Sequence, residues 1–169
     1  MIKTKRLELV RIDNKFSNDL FEVWNDYDVI KYTYLTLIQT QNECNERIEM
    51  LMNRTDVNFN NNFVVLLEDK AIGIAGFPIR KQDEFNCGFY YHYGKKYWGN
   101  GYATEVANAL LEYIFSKYPN ATVNADAVSI NPVSIEVLKK IGFHQTHIEE
   151  KGFNNNGMQL DLVHFISKN

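Results

Sequence analysis

The chain has 169 residues, of which 45% are apolar and 14% aromatic, and a net charge of −3. That length suits one domain, residues 1–169, with a core of its own, and the composition excludes a disordered chain. A general nucleic-acid binder needs a basic surface, and no apolar run approaches the ~18 residues of a membrane span, so we expect a cytoplasmic protein with neither nucleic acid nor membrane as partner.

Residues Arg6 to Ile12 alternate as an opening strand does. Asp13 and Asn14 can start a helix whose apolar positions Phe16, Leu20, Phe21 and Trp24 share a face. From Tyr27 to Ile38 tyrosines and β-branched residues follow no clear period. A second helix begins near Thr40, with Cys44, Ile48, Leu51 and Met52 on its inner side. Asn58 to Asn62 reads as a loop. Phe63 to Leu67 is a continuous apolar run, as in a strand covered on both faces. Glu68-Asp69-Lys70 turns the chain, and Ala71 to Phe77 returns as the second strand of a hairpin, with Gly73 and Gly76 either packed closely or merely tolerated. After a charged turn from Arg80 to Glu84, the aromatic stretch Asn86 to Tyr93 reads as one strand.

The stretch Tyr97-Trp98-Gly99-Asn100-Gly101-Tyr102-Ala103-Thr104-Glu105 comes next and organises the rest. Gly99 and Gly101 lack a Cβ, so the backbone there can take unusual dihedrals and approach a ligand closely. Ala103, Val106, Ala107, Leu110, Leu111, Ile114 and Phe115 then follow helical spacing. A helix opening on such a turn aims unpaired N–H groups and its positive dipole end forward, which suits a phosphate or pyrophosphate. A plain strand-to-helix junction is the alternative. Ala121 to Ser129 alternates as a strand. Asn131 caps a helix from Pro132 to Ile141, with proline in the favoured first turn. His144 to Lys151 and Met158 to Ile166 are strands joined by a hairpin connection from Gly152 to Gly157.

Strands interleaved with helices in this order give a mixed α/β fold. Cys44 and Cys87 show no paired spacing, and His92, His144, His147 and His164 form no zinc pattern, so no metal is expected.

Y-W-G-N-G-Y-A-T-E, followed downstream by N-P-V-S-I-E-V-L-K-K-I-G-F, resembles the GNAT superfamily of acyl-CoA N-acyltransferases, and within it the RimJ/RimL-type branch. Thr4 to Leu9 is similar to that branch's opening strand, so the resemblance spans nearly the whole chain. It implies a single-domain fold whose mixed central sheet splits into a V-shaped coenzyme cleft, with helices on both faces. It also implies acetyl-CoA as cosubstrate and a primary amine as acceptor, either a peptide N-terminus or a small molecule, in a monomer or homodimer.

By the same resemblance, the backbone of Tyr91 to Tyr93 would pair with the pantetheine arm. Trp98, Gly99, Asn100, Gly101, Tyr102 and Ala103 would hold the pyrophosphate. Asn131 would bond the pantetheine or an ordered water, and the Tyr93 N–H would face the oxyanion. Two departures stand out. Trp98 replaces the arginine or glutamine usual at the loop's first position. Leu138 stands where many members place a tyrosine that protonates the leaving thiolate; Ser134 is the substitute that the RimJ/RimL-type branch suggests, there or in binding the coenzyme, with a plain helix-surface residue as the alternative. An alkyl ammonium with a pKa near 10.4 is neutral in only about one molecule per thousand at pH 7, so a base is needed; His92, Asp126 and Glu105 are candidates. Tyr32 and Tyr34 are possible acceptor contacts, or aromatic packing. A non-catalytic acyl-CoA-binding module and a nucleotide-binding domain are the competing readings, the second lacking a G-x-x-x-x-G-K-[ST] lysine.

Overall fold

The computed structural model describes residues 1–53, 61–81, 85–155 and 157–169. Strands β1 (Ile2–Lys3), β2 (Glu8–Arg11), β3 (Asn62–Leu67) and β4 (Lys70–Gly76) pair antiparallel, and β7 (Tyr90–Tyr93) completes a first five-stranded sheet in the order β1-β2-β3-β4-β7. The second sheet has the order β5-β6-β8-β10-β9, from β5 (Ile79–Lys81), β6 (Asn86–Gly88), β8 (Thr122–Val128), β9 (His144–Asn155) and β10 (Met158–Lys168). All pairs are antiparallel except β6 with β8, which runs parallel. The helices are α1 (Ser17–Trp24), α2 (Tyr27–Ile30), α3 (Gln41–Met52), α4 (Tyr102–Lys117) and α5 (Pro132–Lys140).

Alternation along the strands divides the core between the two faces. Val64, Leu66 and Ile74 face Leu20, Trp24, Ile30, Cys44 and Ile48 from α1, α2 and α3. Leu9, Val65 and Ile72 face the other way, onto Val106, Ala107, Leu110 and Ile114 of α4 and Leu138 of α5. The five buried side chains of α4 hold it to the sheets, each large aliphatic one contributing about 1.5–3 kcal/mol of burial. The start of α3 is fixed by a capping box between Thr40 and Glu43.

Several expectations need correction. The stretch Asn86 to Tyr93 is two strands broken at Phe89, one in each sheet. The hairpin connection expected from Gly152 to Gly157 is mostly strand, since β9 runs to Asn155 and β10 begins at Met158, with Gly157 at φ 74°. A bulge opposite Leu160–Leu162 absorbs the misfit. The first helix opens with a 3-10 turn, Asn14–Phe16, capped by Asp13, and the aperiodic stretch after it contains α2. Met52, expected inside, is 44% exposed, because α3 ends there and turns away. Arg80 belongs to β5, and Asn62 is the buried first residue of β3. The remainder of the loops expected at 58–62 and 80–84 lies partly outside the described residues, as does Asn156. Gly73 does require its lack of a side chain: a Cβ there would collide with the His92 carbonyl oxygen and lie 2.7 Å from the Tyr93 ring.

Candidate active site

The parallel pair β6–β8 ends at Gly88↔Asn124. One residue later the chain leaves for β4, where Ala75↔Tyr91 and Gly73↔Tyr93 pair, while β8 stays beside β10 through Val128. The two strands therefore diverge, and a V-shaped cleft opens between β7 and the second half of β8.

On the wall contributed by β7, some backbone groups are paired by no strand among the described residues. Gly94 N–H donates to the Ile72 carbonyl at 2.9 Å, so by alternation the N–H and C=O of Tyr91 and Tyr93 point away from β4, towards the cleft. The Tyr93 carbonyl accepts from the Trp98 indole N–H at 2.8 Å. Burial, the neighbouring Tyr91 and the Glu105 charge push the Tyr93 phenol well up; burial raises that of Tyr91 too, opposed by Ser134. Both hydroxyls are buried without a hydrogen-bond partner among the described residues. The Tyr91 hydroxyl does lie near Ser134, on the opposite lip, but falls short of hydrogen-bond geometry.

Beyond β7, a 3-10 turn at Lys95–Tyr97 leads into the glycine loop. Asn100 closes the loop on itself, its side-chain amide donating to the carbonyls of Tyr97 and Trp98 at 3.1 and 3.0 Å. Gly99 and Gly101 have φ of 76° and 77°, the left-handed region that glycine takes without strain. No side chain caps α4, and its first internal bond is from Glu105 N–H to the Gly101 carbonyl. The N–H groups of Tyr102, Ala103 and Thr104 thus find no acceptor among the described residues. Trp98 stands exposed at the loop's edge.

Glu105 is engaged elsewhere. Its carboxylate accepts from Thr4 Oγ1 at 2.6 Å, Arg6 N at 2.8 Å and Arg6 Nε at 2.7 Å. Burial works against the charge, yet the Thr4 and Arg6 hydrogen bonds hold the carboxyl below its ordinary value. On α5, Asn131 caps through its side-chain oxygen to Ser134 N–H at 3.3 Å, and its Nδ2 donates to Ser134 Oγ at 3.0 Å. Ser134 Oγ thus accepts from Asn131, and its own O–H donates to no acceptor among the described residues.

His92 faces the other way from Tyr91 and Tyr93. The Trp24 indole N–H donates to its Nε2 at 2.8 Å, and burial, then the Arg47 charge, pulls its pKa down to about 4. Also on that face, Asp126 Oδ1 meets His164 Nδ1 at 2.7 Å, and Asp126 Oδ2 lies 3.8 Å from Arg80 Nη2. Arg80 passes over Gly88, where a Cβ would sit in ordinary contact with its guanidinium at 3.5 Å and closer, at 3.2 Å, to Pro78 Cγ. Tyr34 packs against Phe153 with ring centroids 5.3 Å apart and planes tilted by 49°, and Tyr32 packs on the same patch with Val128 and Leu162. Asn155 Nδ2 donates to the Thr33 carbonyl at 2.8 Å. The segment after α2 is thereby docked on the terminal hairpin.

The cleft therefore has two sides. Tyr91, Tyr93, Trp98 to Ala103, Asn131 and Ser134 converge on the α4–α5 side. Asp126, Tyr32 and Tyr34 lie on the other, His92 turns into the α1–α3 core, and Glu105 clasps the chain's opening strands. Residues 6–144 match the family model of an acetyltransferase (GNAT) domain. The chain belongs to the GNAT acetyltransferase family. It is 24% identical over 164 residues to the uncharacterized N-acetyltransferase p20 of Bacillus licheniformis, covering 96% of this chain and 92% of that one. Its fold is similar to that of a GNAT acetyltransferase from Bacillus anthracis, with a TM-score of 0.86, 24% identity and coverage of 99% and 97% of the two chains. It is also similar to that of RimL, a ribosomal L7/L12 α-N-protein acetyltransferase solved with coenzyme A, with a TM-score of 0.85, 13% identity and coverage of 98% and 95%.

For a GNAT enzyme these residues fit the coenzyme on their own chemistry: a half-buried strand edge whose Tyr91 and Tyr93 N–H groups face away from β4, two hydroxyls without a partner among the described residues, and an uncapped helix N-terminus behind two left-handed glycines. Sequence reading missed Arg80 and His164. Both are brought to Asp126 by pairing between strands distant in sequence, and no local spacing signals that.

Proposed function

We propose that this protein is an acetyl-CoA-dependent N-acetyltransferase of the RimJ/RimL-type branch, acting in the cytoplasm on a primary amine, either a protein N-terminus or a small molecule. The observation that carries the reading is the free Tyr91–Tyr93 edge ending beside the uncapped start of α4. An extended chain of amides can lie along the first while a pyrophosphate meets the second. The buried free thiols Cys44 and Cys87 accord with a reducing compartment.

In this reading the Tyr93 N–H stabilises the oxyanion, and the Ser134 O–H, oriented by Asn131, serves the leaving thiolate. Asp126 serves as the base. His92 is left out, since its Nε2 lone pair already accepts from Trp24. The Tyr91 and Tyr93 phenols, pushed up by burial, act as hydrogen-bond donors and not as acids.

Calorimetric titration with acetyl-CoA, with ATP as control, tests the coenzyme; selective micromolar binding is expected, and no binding overturns the reading. A thiol-release screen over peptides and small amines tests turnover. The burial of Leu138 at the position of the usual tyrosine favours one second reading, a non-catalytic acyl-CoA-binding module. Tight binding with no thiol release for any amine is its expected signature.

A further inference from the structure

The Tyr91 side chain leaves the β7 wall and brings its hydroxyl near Ser134, on the opposite lip of the cleft. That hydroxyl is buried and has no hydrogen-bond partner among the described residues. Its ring is held from both sides, by Phe89 with centroids 6.1 Å apart and planes at 77°, and by Tyr93 with centroids 6.0 Å apart. A buried donor left unpaired is costly, so this one calls for an acceptor. On α5, Asn131 Oδ1 accepts from Ser134 N–H at 3.3 Å, which fixes the oxygen end of the amide and makes Nδ2 the atom 3.0 Å from Ser134 Oγ. Nδ2 can only donate. One lone pair of Ser134 Oγ is therefore taken, and the Ser134 proton cannot point at Asn131. Leu138, one turn further along α5, is buried and apolar, so no hydroxyl comes from that position of the helix.

We propose that Tyr91 is a positioning residue for the acyl transfer: its O–H closes onto the second lone pair of Ser134 Oγ and so aims the Ser134 proton at the coenzyme's sulfur. The inference rests on the N-acetyltransferase reading above. A serine hydroxyl has two lone pairs and one proton. With Asn131 Nδ2 on one lone pair and Tyr91 on the other, the proton has a single direction left. The reverse arrangement, with Ser134 donating to Tyr91, would leave the phenolic proton buried without an acceptor. Catalytic hydrogen bonds tighten on substrate binding, and that step brings the near approach of Tyr91 and Ser134 to full geometry. Burial holds the Tyr91 phenol above its ordinary value, so it stays protonated and acts as a donor only. In the transfer, the neutral amine forms the C–N bond, and the thioester C–S bond breaks with its electron pair leaving on sulfur. The nitrogen gives up one proton, which ends on the thiol. Ser134 and Tyr91 keep their own protons throughout and stabilise the charge on sulfur by hydrogen bonding. Ser134 is the group that touches sulfur; Tyr91 acts through it.

The test reads the sulfur without needing an acceptor. An NMR pH titration of bound CoA, isotopically labelled at the methylene beside its sulfur, gives the pKa of the bound thiol in the wild type, Tyr91→Phe, Ser134→Ala and the double variant. A donor aimed at a thiolate lowers its pKa, so each single substitution should raise it, by about 0.5–1 for the loss of one hydrogen bond. The double variant should titrate with Ser134→Ala, because Tyr91 has no effect except through Ser134. The Tm of the free protein should not fall in Tyr91→Phe, since phenylalanine removes only an unpaired hydroxyl. In thiol release with any amine that turns over, Tyr91→Phe should lower kcat about 3–10-fold with KM kept, and should add nothing to Ser134→Ala. A thiol pKa unmoved by Tyr91→Phe overturns the proposal, and so does a double variant whose shift is the sum of the two single shifts. A thiol unmoved by Ser134→Ala overturns it as well, because Tyr91 would then have nothing to position. Absence of CoA binding to the wild type would instead remove the N-acetyltransferase reading, and the role of Tyr91 with it. Binding with a thiol that ignores Tyr91 removes that role alone.

Discussion

At Gly101, φ is 77° and a Cβ would meet only Arg6 Nη2, at 3.7 Å. Space is open but the backbone is not, since an L side chain in that region costs about 1–2 kcal/mol. Gly101→Val should leave the fold intact and weaken acetyl-CoA binding at least ~10-fold; unchanged calorimetric affinity would contradict the pyrophosphate role. Gly73 presents the opposite case, with no room for a methyl group. Gly73→Ala should overpack the β4–β7 contact by about 1–3 kcal/mol, lowering Tm by roughly 2–4 °C per kcal/mol in a chain of this size. For Ser134→Ala the expected result is a kcat loss of about 10-fold or more with coenzyme affinity kept, and equal loss of both would reduce Ser134 to a positioning role. Legibility at this scale follows the range of the cause. The loop glycines announce themselves because a left-handed turn is a local demand, as is the Asn131–Pro132 cap. His164 does not, because its meaning depends on β8 and β9, and His92 could not be assigned a face until Trp24 was seen to cover it.

Single elements show a different limit. Asn86 to Tyr93 keeps one strand-like pattern from end to end, so composition and period gave no reason to divide it. The division at Phe89 comes from competition between two partners, β8 for the first half and β4 for the second. The α4 start has its own long-range tie, in which Glu105 gathers Thr4 and Arg6 from the chain's opening. Because the folded Glu105 pKa is lowered, this clasp adds stability that is fully present above the ordinary glutamate value and lost as pH falls through the folded one. Thermal melts of wild type and Glu105→Gln should therefore differ at pH 7 and converge in acid. A difference independent of pH would mean that packing, not charge, holds the clasp.

Across the whole molecule, the longer strands and helices and their order could be read from the sequence, because hydrophobic periods and turn residues are local signals, whereas the short β1, α2 and β5 could not. The separation into two sheets could not, since it depends on where a parallel pair stops. Coenzyme lying between the diverging strands would bind the folded state alone. At a hundred times its dissociation constant it should add about 2.7 kcal/mol, raising Tm by roughly 5–10 °C. Calorimetric scans with and without acetyl-CoA check this, and an unchanged Tm would speak against a site formed only by the fold.

The crossing at Phe89 has one more consequence. Because a single run of backbone belongs to one sheet before that residue and to the other after it, the β7 wall of the cleft is covalently continuous with β6, the strand that pairs with the start of the β8 wall. Such a site resembles a fixed bracket more than a jaw. Its binding-competent form is the resting one, so no fraction of affinity is spent on selecting a rare conformer. Coenzyme capture should accordingly follow a single phase whose rate rises linearly with concentration, and a plateau in stopped-flow traces would reveal a closing step that the bracket does not need.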